Sequence, residues 1–383
     1  MIYLDHAATT PLAPEVLETM RPFLESEYGN PSSVHARGRA ARVAVEEARE
    51  RVAAAIGVPP LDVIFTSGGT EADNFALKGI AWAARDAGKG AHLVTTNIEH
   101  HAVLEAMEWL AQAQGFELTE VPVEADGVVD PARLLAAVRD DTVLVSVMAA
   151  NNEIGTVQPL DVIGPALRER GVALHTDAVQ AFGRSPLDVQ GWGLSAVALS
   201  AHKFNGPKGV GVLVMGRDVP VVPLQHGGGQ ERGIRSGTFN AAGIAGCGAA
   251  AELAASTAAT EIPRLRALRD TLLQEMLAVE DVSLNGSREH RMPHNINVAV
   301  GDCDGEALLL GLDAAGVCVS TGSACQSGAT EPSHVLSAIG APSDRGHVRF
   351  TLGRTTTEQD IAAAADAFRT TVKQLREAGG AFV

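Results

Sequence analysis

The sequence is poor in cysteine and in aromatic residues, and it has neither a long apolar run nor an excess of basic residues. Its four cysteines show no paired spacing and no C-x-x-C pattern, which excludes a disulfide framework and a zinc ribbon. The longest uncharged apolar stretch, about 241–251, is well below the roughly 18 residues that span a bilayer. A formal net charge of −16 disfavours binding to nucleic acid or to an anionic membrane.

What remains is the composition of a soluble globular protein, with 46% apolar and 20% charged residues. The first residues carry no basic stretch followed by an apolar one, so we expect no signal peptide and a cytoplasmic location. A chain of 383 residues has room for one large core and a smaller lobe.

Between about residues 43 and 215, short apolar runs with little alternation are separated by helical patterns. This arrangement predicts an α/β fold with a mostly parallel sheet that is covered by helices on both faces. An alanine-rich helical stretch, about 241–279, leads to a second lobe with strand patterns near 295–300, 317–320 and 347–352. Ligands of such sheets gather at the carboxyl ends of the strands, so the residues that follow each strand are the ones to inspect.

Lys203 ends a buried apolar run and is followed at once by a turn rich in glycine and proline. Burial disfavours the ammonium form, and a neutral lysine is a nucleophile that can form a Schiff base with an aldehyde. Taken alone, such a lysine is more simply explained by a side chain that reaches from a strand end to water.

Other strand ends carry the groups that a pyridoxal phosphate site needs. Gly69 and Thr70 open a helix, where backbone N–H groups and a hydroxyl can hold a phosphate. Asp177 can pair with a pyridinium nitrogen, and His100 can stack on a ring and move protons. Asn152 lies in a run of polar residues directly after a buried strand, where local structure alone gives no reason for polar side chains. Each signal is weak alone, because residues of these types at a helix start are more often simple helix caps. Together with Lys203 they indicate one site. No metal site is predicted.

Seven motifs in order then resemble the class V aminotransferase-fold PLP enzymes, and in particular the cysteine desulfurases. They are residues 67–74, 151–155, 175–180, 200–203, 226–238, 322–325 and 349–354. The resemblance covers nearly the whole chain and implies the PLP-dependent transferase fold, fold type I. It also implies a large PLP-binding domain at 15–258, and a small α+β domain formed by 1–14 and 259–383 that carries a catalytic-cysteine loop at 320–330.

The resemblance also implies a role for each matching residue. Lys203 matches the lysine that forms the Schiff base with the cofactor, and His100 the histidine stacked on its ring. The phosphate-binding positions are matched by Gly69, Thr70, Ser200 and His202, and the positions around the ring by Asn152, Asp177 and Gln180.

Three further matches concern the partner subunit, the substrate and the sulfur. Thr238 matches a threonine that reaches the phosphate of the neighbouring subunit, which implies a homodimer. Arg354 matches the arginine that binds the substrate carboxylate, with Asn152 beside it. Cys325 matches the cysteine that takes the sulfur, and its small, polar neighbours suit a reactive thiol in a loop better than a core cysteine.

The sequence therefore predicts an L-cysteine desulfurase that forms alanine and a persulfide on Cys325, with His100 as proton carrier. The sulfur would pass to an acceptor protein, either an iron–sulfur scaffold or another sulfur carrier. Alternatives on the same fold are a selenocysteine lyase and a class V aminotransferase, although an aminotransferase has no need of Cys325. A non-catalytic partner-binding protein is disfavoured because Lys203, Asp177 and the other site residues are intact.

Overall fold

The computed structural model describes residues 1–321 and 333–379. The helices of these residues are α1 (Pro14–Glu25), α2 (Ala36–Ile56), α3 (Gly69–Asp86), α4 (His101–Gln114), α5 (Pro131–Ala137), α6 (Leu160–Glu169), α7 (Ala241–Leu277), α8 (Gly305–Ala314), α9 (His334–Ala338) and α10 (Glu358–Glu377). The strands are β1 (Ile2–Tyr3), β2 (Val63–Thr66), β3 (His92–Thr96), β4 (Glu117–Val121), β5 (Thr142–Ser146), β6 (Ala173–Asp177), β7 (Ala196–Ser200), β8 (Gly211–Met215), β9 (Val282–Leu284), β10 (Asn295–Val300), β11 (Val317–Cys318) and β12 (Gly346–Thr351).

A seven-stranded sheet with the order β2-β8-β7-β6-β5-β3-β4 forms the centre of the large lobe. Only β8 runs antiparallel to its neighbours among these strands, so the prediction of a mostly parallel α/β sheet is confirmed. Strands β3, β5 and β7 are buried along their whole length because helices pack on both faces. The parallel strands end at one edge of the sheet, and the polar residues that follow them meet there.

The smaller lobe contains the antiparallel sheet β12-β10-β9 and the parallel pair β1-β11. Its apolar core includes Phe350 of β12 and Phe368 of α10, and Leu4 from the start of the chain is buried with them. Helix α7 serves both lobes, since Ile244 lies in the core of the large lobe and Leu272 in that of the small one. The domain boundary at 258/259 stays a prediction.

Residues 5–10, which we call the N-terminal strap, connect the two lobes next to the carboxyl edge of the large sheet. In the small lobe, the Ala7 N–H donates to Thr351 Oγ1 over 2.8 Å. In the large lobe, the Thr10 N–H donates to the carbonyl of His202 over 2.9 Å. Asn205 adopts a left-handed conformation with φ of 66°, which asparagine tolerates, and its side chain donates to the carbonyl of Pro11 just after the strap.

Within the described part of the chain, no helix combines the length and the apolar character that crossing a membrane requires.

Candidate active site

A cavity of about 560 Å³ lies at the carboxyl edge of the large sheet. Nine residues that were predicted from the sequence line it together: Gly69, Thr70, His100, Asn152, Asp177, Gln180, Ser200, His202 and Lys203. They come from five different strand ends, which only the parallel arrangement brings to one place. The geometry of each group decides which ligand the cavity fits.

Lys203 lies in a single 3₁₀ turn, Ala201–Lys203, that directly follows β7. Its Nζ donates to the carbonyl oxygens of Ala7 and Ala8 in the N-terminal strap, at 2.5 and 2.8 Å. Because neutral carbonyls rather than a carboxylate hold the amine, the ammonium form gains no ion pair from these two contacts. The amine is thereby oriented at the wall of the cavity.

Asp177 ends β6 with its carboxylate buried in the cavity wall. Its Oδ1 accepts a hydrogen bond from the Val179 N–H at 2.9 Å. Burial raises the pKa of Asp177, and the nearby His100 and Lys203 offset part of that rise. A ligand with a cationic N–H next to this carboxylate would compensate its burial.

Gln180 extends the same wall of the cavity. Its Nε2 donates to the carbonyl of Ala7 at 3.0 Å, while its Oε1 is buried without a hydrogen-bond partner among the described residues. A buried polar atom that lacks a partner indicates that a ligand completes the site.

The start of α3 forms the opposite end of the cavity. The N–H groups of the first turn are not used within the helix and face this end with a partial positive charge. A Cβ on Gly69 would lie 2.9 Å from Val179 Cγ2, so any larger residue there would force the Val179 side chain to shift. Ser200 and His202 line the same end. Burial and the cations Lys203 and Lys208 lower the pKa of His202 to about 4, which keeps its ring neutral.

His100 precedes α4, and its Nδ1 accepts a hydrogen bond from the Ala102 N–H at 3.1 Å. Since Nδ1 is an acceptor, the neutral ring carries its proton on Nε2. His100 lines the cavity, whereas the ring of His101 packs against that of His334, with ring centroids 4.7 Å apart and the planes tilted by 57°. The rings of His100 and His101 lie 6.5 Å apart in an edge-to-face arrangement, so the two histidines are neighbours at the start of α4.

The structure brings Arg349, and not Arg354, to the cavity. Arg354 lies on the surface, where its Nη2 donates to Glu15 Oε1 at 2.8 Å with both side chains partly exposed. Arg349, in β12, has a side chain that is only 2% exposed and lines the cavity. Its Nη2 contacts Asp5 Oδ1 at 2.8 Å, and its Nη1 donates to the carbonyl of Asn152 at 2.9 Å. The role of Arg354 in binding the substrate carboxylate stays a prediction, and the position of Arg349 supports a different proposal for that role.

Comparisons with known proteins agree over the whole chain. The family model for class-V aminotransferases matches residues 2–363. This chain belongs to the cysteine desulfurases of the class-V aminotransferase family. A curated relative named cysteine desulfurase IscS, from Dictyoglomus turgidum, is 50% identical over 378 residues, which cover 98% of this chain and 95% of the relative. An IscS-like cysteine desulfurase from Mycobacterium tuberculosis is 48% identical and covers 99% and 98% of the two chains.

A solved structure of a NifS-like protein has a TM-score of 0.91 and 36% identity, with 98% of this chain and 100% of that chain covered. The family and the fold that the sequence predicted are thereby confirmed. This desulfurase family depends on PLP, and the cavity fits that cofactor on three of its own features. These are the helix N-terminus for a phosphate, the buried Asp177 for a pyridinium, and the unpaired Gln180 Oε1 beside Lys203.

Two predicted residues of the desulfurase site do not line the cavity. Thr238 has an exposed side chain outside it, so a role in the partner's site stays a prediction. Cys325 lies outside the described residues, which end at 321 and resume at 333.

Three parts of the site were missed from the sequence: Arg349, Asp73 and the carbonyls of the strap. Asp73 lies one turn into α3, lines the cavity and is buried. Burial, followed by the charge of Asp177, raises the pKa of Asp73 well above its ordinary value, and Asp73 Oδ1 is 3.4 Å from His175 Nε2. Inspection of residues one turn beyond each strand end could have found it.

Proposed function

We propose that this chain converts L-cysteine to L-alanine with PLP bound in the cavity, and that it passes the sulfur to an acceptor as a persulfide on Cys325. The observation that carries the proposal is the convergence of Lys203, Asp177, His100 and Arg349 on one cavity, in a chain that is 50% identical to a named cysteine desulfurase. Selenocysteine lyases and aminotransferases would share most of this cavity, so Cys325 is the residue that distinguishes them.

The residues divide into those that hold the phosphate and those that hold the ring. The first turn of α3 with Thr70, Ser200 and His202 is suited to the phosphate, while Asp177 is suited to the pyridinium nitrogen. Gln180 and Asn152 would lie beside the ring, and His100 would cover its face. When bound, the cofactor supplies an aldehyde for covalent attachment and a ring that withdraws electrons from the substrate's α-carbon.

Arg349 is the residue that we assign to the substrate carboxylate. Its guanidinium lines the cavity, and its Nε is buried without a partner in the part of the chain that the structure describes. An unsatisfied guanidinium donor is costly unless a ligand accepts from it, and a carboxylate is the natural acceptor.

Lys203 and His100 are the groups that move protons. Lys203 Nζ would take the proton from the substrate's α-carbon, since the strap carbonyls hold it at the cavity wall. His100 exchanges its proton at Nε2, because Nδ1 is engaged by the Ala102 N–H.

The sulfur-transfer step belongs to Cys325. Its thiolate attacks the substrate's sulfur, so that an S–S bond forms and the C–S bond breaks. The electron pair of the broken bond stays on the substrate carbon, which is then protonated, and return of the proton from Lys203 to the α-carbon completes alanine. The acceptor, an iron–sulfur scaffold or another sulfur carrier, then takes the sulfur. A homodimer and a reducing cytoplasm are the setting we propose for this chemistry.

The Cys325→Ser variant tests the persulfide step. It should bind PLP as well as the wild type does, because every cavity group is intact, but release of alanine and sulfide should nearly vanish because a hydroxyl cannot accept the sulfur. Mass spectrometry of the wild type after exposure to cysteine should find one added sulfur atom on the Cys325 peptide. Cys318→Ser, at a half-buried cysteine in β11, is the matched control and should retain turnover. Undiminished alanine release by Cys325→Ser would favour a thiol-independent lyase instead.

A further inference from the structure

The N-terminal strap contacts both of the groups that would act on the two ends of an amino-acid substrate. Through Asp5 it contacts Arg349, and through the carbonyls of Ala7 and Ala8 it contacts Lys203. We infer that Asp5 is a positioning residue, which orients Arg349 so that its unpaired Nε–H meets the α-carboxylate of the substrate. This inference rests on the proposed function and deepens it.

The orientation of Arg349 is set by two contacts on its terminal nitrogens. Asp5 Oδ1 lies 2.8 Å from Nη2, and the Asn152 carbonyl accepts from Nη1 at 2.9 Å. A planar guanidinium held at two nitrogens cannot rotate, so the direction of its remaining donors is fixed. Nε is the one guanidinium nitrogen that has no hydrogen-bond partner among the described residues.

Asp5 can act in this way because its backbone is held independently of its carboxylate. It forms an isolated parallel bridge with Thr351 of β12. Its carbonyl accepts from the Tyr3 hydroxyl and from the Ala8 N–H, each at 3.1 Å. Removal of the carboxylate therefore leaves the path of the strap unchanged and affects mainly Arg349.

The same segment also fixes the distance between the two ends of the site. Ala7 and Ala8, which hold Lys203 Nζ, follow Asp5 by two and three residues. In L-cysteine the carboxylate and the amine share one carbon atom, so a productive fit needs the guanidinium and the lysine at one defined separation. A short segment that contacts both groups supplies that separation.

A competing possibility is that Asp5 blocks Arg349 and must be displaced by the substrate. In that case removal of Asp5 would tighten the binding of carboxylates. We favour positioning, because the guanidinium has more N–H donors than Asp5 and Asn152 use, and a substrate can bind while Asp5 remains in place.

The test compares two ligands of the PLP-loaded protein, L-alanine and ethylamine, which differ in the carboxylate. The absorbance of the bound cofactor reports their equilibrium binding and needs neither turnover nor Cys325. Asp5→Ala should weaken the binding of L-alanine about tenfold, the effect of one charge-assisted hydrogen bond, and should leave ethylamine unchanged. Asp5→Asn keeps Oδ1 and should recover most of the loss. Glu15→Ala removes the partner of Arg354 on the surface and should change the binding affinity of neither ligand.

Tighter or unchanged binding of L-alanine by Asp5→Ala would overturn the inference, as would an equal loss for both ligands, which would indicate general damage to the cavity. PLP affinity, measured on the cofactor-free variants, should match that of the wild type. A wild type that takes up no PLP would overturn both this inference and the proposed function. Normal binding of both ligands without sulfide release from cysteine would overturn only the desulfurase assignment.

Discussion

Glu99 is a carboxyl group in the interior of the large lobe, immediately before His100, with an exposure of 0%. Its Oε1 accepts from Thr96 Oγ1 at 2.6 Å and from the Met148 N–H at 2.9 Å. Its Oε2 is buried without a partner in the described part of the protein. Burial raises the pKa of Glu99 to about 8, so the folded protein holds a proton there near neutral pH.

Glu99→Gln should therefore change how stability depends on pH. The folded pKa lies above the unfolded one, so the proton on Glu99 stabilises the fold at low pH, and this contribution is lost as the pH rises towards about 8. Glutamine imitates the protonated form at every pH. The midpoint of thermal unfolding of the variant, relative to the wild type, should rise between about pH 5 and about pH 8. The corresponding gain in the free energy of unfolding, relative to the wild type, is up to about 1.4 kcal/mol per pH unit.

Glu108→Gln, at an exposed position of the neighbouring helix α4, is the control. Its midpoint of thermal unfolding should depend on pH in the same way as that of the wild type. If the midpoint of Glu99→Gln also followed that of the wild type at every pH, Glu99 would be ionised in the folded protein, contrary to its burial.

At the scale of elements, residues 226–238, the glycine-rich segment, are tied to two helices by ion pairs. Arg49 of α2 contacts Glu231 at 2.8 Å, and these side chains are only 4% and 1% exposed. Glu71 of α3 contacts Arg235 at 2.7 Å. The segment needs such ties because Glu231 and Arg232 have φ values of 44° and 59°, which cost energy in residues other than glycine.

Removal of the Glu231 side chain should destabilise the protein strongly. Glu231→Ala leaves the buried charge of Arg49 with only the exposed Glu46 as a carboxylate partner, and it also deprives the Phe65 N–H of an acceptor. We expect a loss of about 3–5 kcal/mol in the free energy of unfolding, measured by urea denaturation of the cofactor-free protein. Arg49→Met combined with Glu231→Leu should recover much of this loss, since no uncompensated charge remains. Glu18→Ala, in the exposed pair with Arg21, should leave the midpoint unchanged, and an equally small effect of Glu231→Ala would contradict the structure.

The elements that the sequence predicted well are those whose burial is uniform. Strands β5 and β7 read as continuous apolar runs because both of their faces are covered. Strand β4 was missed because it is an edge strand with mostly polar, partly exposed residues, and α1 was missed as well. The polar first half of α2 was also missed, where an arginine-rich turn hides the helical period.

The position of each site residue in the fold also explains whether it could be predicted from the sequence. Residues directly behind parallel strands were predictable, because sheet topology alone brings them together. Arg349 lies inside a strand of the other lobe, so its arrival at the cavity depends on how the two lobes pack. The contacts of Lys203 with Ala7 and Ala8 use backbone carbonyls, for which a sequence carries no side-chain signal.

For the whole molecule, we propose a homodimer in which each chain completes the other's phosphate site. Thr238 is exposed and does not line the cavity of its own chain, yet its segment is tied through Arg235 and Glu71 to α3, whose first turn would hold the phosphate. An exposed, anchored hydroxyl next to one cavity is suited to reach a second copy of that cavity.

Coexpression of Lys203→Ala with Thr238→Glu should therefore restore activity that neither variant has alone. The first lacks the lysine, and in the second the added carboxylate repels the phosphate bound by the partner chain. A mixed dimer contains one site with both an intact Lys203 and an intact Thr238, so alanine release per purified mixed dimer should reach about half that of the wild type. Lys203→Ala coexpressed with Asp177→Ala is the matched control. Both of its changes affect the cavity of the chain that carries them, so no site is intact and no activity should return. A mixed dimer without recovered activity, or a fully active monomer in sedimentation at assay concentration, would show that Thr238 serves no partner's site.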